Sequence, residues 1–433
     1  MKFYSTKHQA PDTDVKEAVL RSLPADNGLY MPETLTPMSE DYWKTLSELS
    51  FEELSYQFAQ NLLQESVPAE ALKKIVYDAV NFEAPLVELE ENLSCLELFH
   101  GPSLAFKDFG ARFMSRLMSH LVEEGDQKLD ILVATSGDTG GAVALGFYKT
   151  PNIRVTILYP SGKVSLLQEK QLTTLGENIR AVEVQGTFDD CQKMVKTAFL
   201  DEELKTTFNL SSANSINIAR LIPQAFYYIR AYQQTKDKNR PLAMCVPSGN
   251  FGNITAGLIA KKMGLPIQKF IASNNSNDVF YNYLKTGTYE PRPSVRTHSN
   301  AMDVGNPSNF QRIQDLYKGS VEALRKDMAA YSFDDAATLA AIKEMYEKYN
   351  YVACPHTAVG YLGAKAFQAE NPEYQVIFQA TAHAAKFIDV VEDTLQQKID
   401  IPADLERLRD KPKSATLLST EFEDFKKYLL DRG

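Results

Sequence analysis

The chain changes its pattern of apolar and polar residues at about Pro85. Beyond that point, short apolar runs rich in β-branched residues alternate with stretches that carry apolar residues at helical spacing. The apolar runs predict strands at 129–134, 153–159, 179–185, 242–247, 265–273 and 374–380. Strands that alternate with helices of this length predict right-handed βαβ units and a mostly parallel sheet.

Residues 1–90 carry a different, mainly helical pattern. Apolar residues recur every three or four positions at 51–65 and at 68–80, and neither stretch contains glycine, so both are predicted to be helices. Nothing in this segment suggests chemistry. We therefore expect it to pack against the rest of the chain or to take part in oligomer contacts.

The composition is that of a globular protein with an acidic surface. Of the 433 residues, 46 are basic and 56 are acidic, which gives a net charge of −10. This charge opposes nonspecific binding to nucleic acid and to anionic membranes. The twenty uncharged residues at 241–260 are interrupted by Pro247 and a polar run, so they are not predicted to span a membrane.

The cysteines and the N-terminus favour a cytoplasmic protein. Four cysteines lie far apart, at positions 95, 191, 245 and 354, and no pair has CxxC spacing. Such scattered cysteines are typical of a reducing compartment. The N-terminus has no apolar segment of the kind found in secretory signals. Cys354 and His356 have no further ligands clustered near them in sequence, so no metal site is predicted.

Two polar, glycine-containing turns follow predicted strands. VPSGNFGNITAG begins at Val246, and TSGDTGG begins at Thr135. Amides at the start of a helix, together with the helix dipole, suit an anionic group such as phosphate. Either turn alone fits an ordinary strand-to-helix connection, and Asp138 alone fits a helix cap. The presence of both turns predicts a bound small molecule with at least one anionic group.

Lys107 lies in an apolar and aromatic stretch, LELFHGPSLAFKDFGARF. Burial among aromatic side chains disfavours the ammonium form and lowers the pKa of a lysine. A lysine of lowered pKa is a nucleophile for carbonyl groups and a usable base. The alternative is that Lys107 pairs with its neighbour Asp108 and has no catalytic role.

Five motifs together carry a resemblance to a known family. HGPSLAFKDFG, ATSGDTGGA, SSANSINIARL, VPSGNFGN and TAHAAKF occur in this order, and the similarity runs over the whole chain. The chain resembles the threonine synthases, which are fold-type II enzymes dependent on pyridoxal 5′-phosphate (PLP). The resemblance implies an α/β fold with two doubly wound, mostly parallel sheets that carry helices on both faces, and a mainly helical N-terminal segment.

The resemblance also implies a division into domains. The N-terminal segment would occupy residues 1–90 and the PLP-binding core residues 91–400. Within the core, a smaller subdomain would span approximately 105–240 and a larger one the remainder. Residues 401–433 would form a C-terminal extension.

Site residues follow from the same resemblance. Lys107 corresponds to the lysine that binds the cofactor covalently, and Thr381 to the residue whose hydroxyl faces the pyridine nitrogen. Asp138 stands where many fold-type II enzymes have an asparagine near the 3′ oxygen of the cofactor. The predicted cofactor-binding residues are Lys107, Asp138, Ser248, Gly249, Asn250, Phe251, Gly252, Asn253 and Thr381. The predicted substrate-binding residues are Ser136, Thr139, Asn214, Ser215, Arg220 and Lys163.

The implied reaction converts O-phospho-L-homoserine and water into L-threonine and phosphate, by γ-elimination and β-hydration, as the last step of threonine biosynthesis. Other fold-type II enzymes are alternatives, namely a threonine dehydratase, a cysteine synthase or an amino-alcohol phospholyase. A nicotinamide-dependent oxidoreductase would need a GxGxxG turn after the first strand, and the chain has none there. A non-catalytic metabolite sensor would have no need of Lys107.

Overall fold

The structure is a computed structural model that describes residues 1–122 and 127–431. Its N-terminal part forms a two-stranded antiparallel sheet and four helices, which confirms the helices predicted at 51–65 and 68–80. The elements of this part are β1 (Phe3–Ser5), α1 (Val15–Arg21), β2 (Tyr30–Pro32), α2 (Glu40–Thr45), α3 (Phe51–Leu63) and α4 (Ala69–Ala79).

Two sheets with helices on both faces form the rest of the fold, and the predicted strands all occur. The first part of this region contains β3 (Leu86–Glu90), β4 (Leu93–Glu97), α5 (Lys107–Leu121), β5 (Leu129–Ala134), α6 (Asp138–Phe147), β6 (Ile153–Pro160), α7 (Leu166–Thr173), β7 (Ile179–Val184), α8 (Phe188–Leu200), α9 (Glu202–Thr207), β8 (Asn209–Ser212), α10 (Ile218–Leu221) and α11 (Gln224–Gln234).

The second part continues with β9 (Leu242–Pro247), α12 (Gly252–Lys262), β10 (Lys269–Asn274), α13 (Val279–Thr286), α14 (Phe310–Leu316), α15 (Val321–Asp327), β11 (Met328–Ser332), α16 (Asp335–Tyr349), α17 (Pro355–Glu370), β12 (Gln375–Ala380), α18 (Ile388–Leu395), α19 (Ala403–Arg409), β13 (Thr416–Leu418) and α20 (Phe422–Leu430). Short 3₁₀ turns lie at Leu46–Glu48, Gln64–Ser66, Asn300–Met302 and Ala384–Phe387.

The larger sheet has six strands in the order β11-β10-β9-β12-β4-β3, and only the β3–β4 pair is antiparallel. The smaller sheet has five parallel strands in the order β13-β7-β6-β5-β8. The C-terminal strand β13 thus completes the smaller sheet by pairing with β7. In open parallel sheets, ligands bind beyond the carboxyl ends of the strands.

The N-terminal helices position α5, the helix that begins at Lys107. The ring of Phe109 on α5 packs against Phe51 and Phe82, with ring centroids 5.9 and 4.7 Å apart. All three rings belong to one apolar cluster that joins the N-terminal part to the core. The N-terminal segment therefore fixes the start of α5, in agreement with the expectation that it packs against the rest of the chain.

Within residues 1–122 and 127–431, no helix combines the length and apolar character that crossing a bilayer requires. The stretch at 241–260 instead forms the buried strand β9, the polar turn after it and most of α12.

Candidate active site

A cavity of 810 Å³ lies beyond the strand ends of both sheets. The segments that follow β5, β8, β9 and β12 line it, together with the start of α5. It brings together every predicted site residue except one: Lys107, Ser136, Asp138, Thr139, Asn214, Ser215, Arg220, Ser248, Gly249, Asn250, Phe251, Gly252, Asn253 and Thr381. Residues up to 274 positions apart in sequence, from Lys107 to Thr381, therefore share one chamber.

Lys163 lies elsewhere. It is exposed on the turn that follows β6, and its backbone N–H donates to the carbonyl of Pro160 within that turn. The role of Lys163 in binding the substrate anion stays a prediction.

Backbone contacts fix Lys107 against the end of β12. The N–H of Phe106 donates to the carbonyl of Thr381 at 2.9 Å, and a β-bridge joins Ala105 to Ala382. Burial lowers the pKa of Lys107 to about 8, with the charges of Lys386 and Arg220 acting in the same direction and that of Asp138 opposing them. The amine is therefore deprotonated part of the time near neutral pH, as expected for a nucleophile or base.

The alternative pairing of Lys107 with Asp108 is not what the structure shows. The Asp108 carboxylate is fully buried and accepts a hydrogen bond from the backbone N–H of Ser103 at 2.8 Å. Asp108 thereby holds the loop before α5, while the Lys107 side chain lines the cavity.

Asp138 is held by a buried ion pair. The amine of Lys386 lies 2.8 Å from the Asp138 carboxylate, and the side-chain amide of Gln168 donates to the same oxygen at 2.9 Å. Burial alone would raise the pKa of Asp138, but the charges of Lys386 and Lys107 more than offset burial and hold it well below its usual range. The cavity therefore carries a carboxylate that is ionised at neutral pH, in contact with Lys386 and stabilised by the charge of Lys107.

The predicted phosphate turn connects β9 to α12. Gly252 is the first residue of α12, so the free N–H groups at the start of that helix lie at the cavity. Gly249 lets a second segment approach closely, because a Cβ at this position would lie 2.6 Å from the Cα of Met302. The structure thus explains glycine at 249 by backbone packing within the cavity wall.

Asn253 contributes differently from its neighbours. Its side-chain amide donates to Gln379 at 2.7 Å, and its oxygen accepts from the hydroxyls of Tyr227 and Tyr228 at 2.7 and 2.6 Å. These contacts engage the whole side chain within the protein. Any contact of Asn253 with a ligand is therefore left to its backbone.

Asn250 links the phosphate turn to the predicted substrate residues. Its side-chain amide donates to the hydroxyl of Ser215 at 2.7 Å, and its oxygen accepts from the backbone N–H of Ser308 at 2.7 Å. Asn214 is positioned from the smaller sheet, because its side-chain amide donates to the carbonyl of Ala134 at 3.1 Å. The two groups of predicted residues thus form one continuous hydrogen-bonded wall.

Arg220 is a buried cation with an unused donor. Its side chain is 3% exposed, one terminal nitrogen donates to the carbonyl of Ala213 at 2.5 Å, and Nε has no hydrogen-bond partner within the described residues. Burial lowers the pKa of Arg220 to about 10, so the guanidinium is still charged at neutral pH. A buried charge with a free donor at a cavity predicts an anionic ligand.

Gly110 allows Arg220 to reach this position. It lies one helical turn after Lys107 on α5, so the two positions share a face of the helix. A Cβ at Gly110 would lie 2.8 Å from Nε of Arg220 and 2.9 Å from its backbone oxygen. The absence of a side chain at 110 therefore brings the guanidinium close to Lys107.

Replacing Gly110 by alanine should displace Arg220 and cost about 1–3 kcal/mol of stability through overpacking. Thermal unfolding measures the cost. The matched control is Gly360→Ala on α17, where a Cβ would make only ordinary contacts at 3.4 Å. That control should unfold at the wild-type temperature or above, since alanine favours a helix more than glycine does. Equal stability of the two variants would contradict the packing argument.

Three further polar residues reach the site, and the sequence did not predict them as site residues. Lys386 and Gln168 hold Asp138, and His356 lines the cavity beside them. Lys386 lies within the quoted motif TAHAAKF, but its role depends on a partner more than two hundred positions away. Gln168 lies on α7 with no sequence signal beyond a capping pattern at the start of that helix.

Comparison with known proteins places the chain in a class and then in a family. Residues 82–381 match the family described as "Pyridoxal-phosphate dependent enzyme". The α/β fold and the cavity around Lys107 thus belong to a fold-type II PLP-dependent enzyme. Residues 2–80 match "Threonine synthase N terminus", and residues 357–429 match "Threonine synthase, C-terminal". The chain belongs to the threonine synthase family.

Individual relatives agree with this assignment. The chain is 41% identical to threonine synthase of Escherichia coli over 100% of both chains, and 44% identical to that of Haemophilus influenzae over 99% of this chain and 100% of the relative. The crystal structure of the Escherichia coli enzyme superposes with a TM-score of 0.93 over 100% of both chains. The PLP-bound threonine synthase of Brucella melitensis gives a TM-score of 0.93 at 34% identity, over 99% of this chain and 98% of the other.

The residues present fit pyridoxal phosphate. Lys107 offers a buried amine of lowered pKa, which is the group that condenses with an aldehyde. The start of α12 offers helix amides of the kind that bind a phosphate. Within the described residues, the buried nitrogens Nε of Arg220 and Nδ1 of His356 have no protein partner. The cavity is therefore built to receive a ligand with several acceptor oxygens.

Proposed function

We propose that the chain converts O-phospho-L-homoserine and water into L-threonine and phosphate at this cavity. The observation that carries the proposal is the buried guanidinium of Arg220 in the same chamber as Lys107, where it packs against Gly110, the residue one helical turn after Lys107 on α5. A lysine that can exchange protons and a fixed cation for a phosphate ester are the two groups this reaction requires. A dehydratase would have no use for the second.

Bound pyridoxal phosphate supplies an electron sink for the amino-acid substrate. We assign Lys107, the phosphate turn 248–253 and Thr381 as the residues that would hold it. The hydroxyl of Thr381 cannot donate a full proton to a pyridine nitrogen as a carboxylic acid can. The sink is then weaker, which favours loss of the leaving group over accumulation of a stabilised carbanion.

Lys107 then acts as the proton carrier. Its amine removes a proton from Cα of the substrate and a second from Cβ, and phosphate departs from Cγ. Lys107 returns one of these protons to Cγ, water adds its hydroxyl at Cβ and gives its proton to the released phosphate, and return of the second proton to Cα completes threonine. A pKa of about 8 lets the same amine accept and return these protons near neutral pH.

Arg220 and its neighbours bind the leaving group. The charge on the phosphate oxygens grows as the bond to Cγ breaks, so a fixed guanidinium stabilises the transition state more than the bound substrate. Asn214 and Ser215 would add neutral donors at the same place. We assign Ser136 and Thr139, on the turn after β5, to the part of the substrate between the amino-acid end and the phosphate.

Replacing Arg220 by glutamine should raise KM for O-phospho-L-homoserine and lower kcat/KM by about 10²–10³-fold, because a preorganised charged donor to the leaving group is lost. Inorganic phosphate should inhibit the wild-type enzyme competitively and inhibit the variant much less. Steady-state kinetics with retained cofactor absorbance separates this effect from misfolding.

The matched control is Arg180→Gln, which changes an exposed arginine on β7. It should leave both KM and phosphate inhibition unchanged. An R220Q variant with wild-type KM and wild-type phosphate inhibition would remove Arg220 from the phosphate site.

We also propose that the enzyme works in the cytoplasm on this small molecule alone, without nucleic acid. The four cysteines are buried and free, which is typical of a reducing compartment. The net charge of −10 opposes binding to nucleic acid.

A further inference from the structure

His356 is a cavity-lining residue to which the mechanism above gives no role. It is the second residue of α17, is only 3% exposed, and packs its ring against Phe387 with centroids 4.7 Å apart. The backbone N–H of Ala301 donates to Nε2 at 3.1 Å. Because Nε2 accepts, the proton of the neutral ring lies on Nδ1.

The ring is neutral near pH 7. Burial lowers the pKa of His356 to about 4, with the charge of Asp138 opposing this effect and that of Lys107 adding to it. His356 lines the same cavity as Lys107 and Asp138, and its ring packs against Phe387, the residue after Lys386, whose amine contacts Asp138. A neutral donor there binds a negative oxygen without adding a positive charge that would lower the pKa of Lys107 further.

The Nδ1–H group has no acceptor from the protein. This nitrogen is fully buried and finds no hydrogen-bond partner within residues 1–122 and 127–431. Buried N–H groups are almost always paired, and an unpaired one destabilises the fold. The contacts of Nε2 with Ala301 and of the ring with Phe387 oppose a rotation that would relieve it.

We propose that His356 donates its Nδ1–H to a negatively charged oxygen of the bound ligand beside Lys107, and so orients that ligand for proton transfer. This inference rests on the proposed function. Two oxygens have the required chemistry: the ring oxygen next to the aldehyde of the cofactor, and the carboxylate of the amino-acid substrate. Both would come close to the amine of Lys107, since it must reach the aldehyde and the substrate Cα.

Two variants separate the two nitrogens of the ring. His356→Asn retains a donor near the position of Nδ1 and loses the acceptor for Ala301. His356→Gln retains an acceptor near Nε2 and loses the donor. The holoenzymes are compared by cofactor absorbance, by the rate of cofactor loss on dilution, and by KM for O-phospho-L-homoserine.

In H356Q, either the rate of cofactor loss or KM for O-phospho-L-homoserine should rise by about 10- to 100-fold, because a hydrogen bond to a charged group is removed. H356N keeps that hydrogen bond, so its values should be close to those of the wild type. Faster cofactor loss with altered absorbance identifies the cofactor oxygen as the acceptor. A raised KM, with the absorbance and the rate of cofactor loss both at wild-type values, identifies the substrate carboxylate as the acceptor. An H356Q enzyme equal to wild type in all three readouts would overturn the proposal, as would a defect confined to H356N.

Nuclear magnetic resonance of the wild-type protein tests the same proposal without a variant. In protein labelled at histidine nitrogen, the Nδ1–H resonance of His356 should shift downfield when pyridoxal phosphate or the substrate is added. A resonance that neither ligand moves would overturn the proposal. Failure of the wild-type enzyme to form threonine would instead count against the proposed function, while the cofactor absorbance and the resonance would still report on His356.

Discussion

Replacing Lys107 by alanine should reduce threonine formation by at least about 10³-fold, because one amine both binds the cofactor and carries protons at several carbons. The variant should still fold. Burial lowers the pKa of Lys107 to about 8, so the ammonium form is less stable in the folded protein than in the unfolded chain. At pH 7 its removal therefore relieves an unfavourable charge, and the thermal unfolding temperature should be no lower than that of the apo wild type.

The matched control is Lys74→Ala, which removes an exposed lysine from α4. This variant should keep both wild-type turnover and the absorbance of the bound cofactor, whereas K107A should lose the absorbance of the covalently bound form. Substantial threonine formation by purified K107A would overturn the assignment of Lys107.

Replacing Lys386 by methionine should destabilise the protein by about 3–5 kcal/mol, because it removes the one cation that contacts the buried carboxylate of Asp138 among the described residues. Lys386 is fully buried, and its amine also donates to the carbonyl of Ser103 at 2.8 Å. The variant therefore removes contacts from the loop before α5 and from the start of α6. Thermal unfolding of the apoprotein measures this cost independently of the cofactor.

Two comparisons test the buried pair specifically. Lys398→Met breaks a surface pair with Glu392, in which the lysine is 91% exposed, and should cost at most about 1 kcal/mol. The double variant Lys386→Met, Asp138→Asn should be more stable than K386M alone, since it no longer buries an unpaired carboxylate. Equal stability of the double and the single variant would show that the Lys386–Asp138 ion pair does not stabilise this part of the fold.

Strand and helix patterns predicted most of the fold because the sheets are parallel and buried. The run at 242–247 forms β9 with the same bounds, and the run at 265–273 forms β10 starting four residues later, at Lys269. That run begins with Leu265 and Pro266, and the proline ring opposes regular pairing there. The resemblance, and not the periodicity, supplied the division into two sheets, since a linear pattern does not show which strands pair.

The candidate site was predictable where short motifs carry it. Lys107, the turn at 248–253 and Arg220 all belong to motifs that are readable in one pass along the chain, and all line the cavity. The network around them was not predictable in the same way. Lys386 contacts Asp138, which lies more than two hundred positions earlier in the sequence, and the role of His356 depends on its contact with Ala301. The first pair depends on how the two sheets come together, and the second on how the segment at 300–302 folds back against α17.

The most direct test of the proposed reaction is to incubate the PLP-loaded enzyme with O-phospho-L-homoserine and measure L-threonine and inorganic phosphate in the same samples. We expect both products to appear in equal amounts at every time point. Phosphate released without threonine, with ammonia and a carbonyl compound in its place, would contradict the proposed reaction and identify an eliminating phospholyase. The absence of both products from an enzyme that retains cofactor absorbance would contradict the proposed substrate.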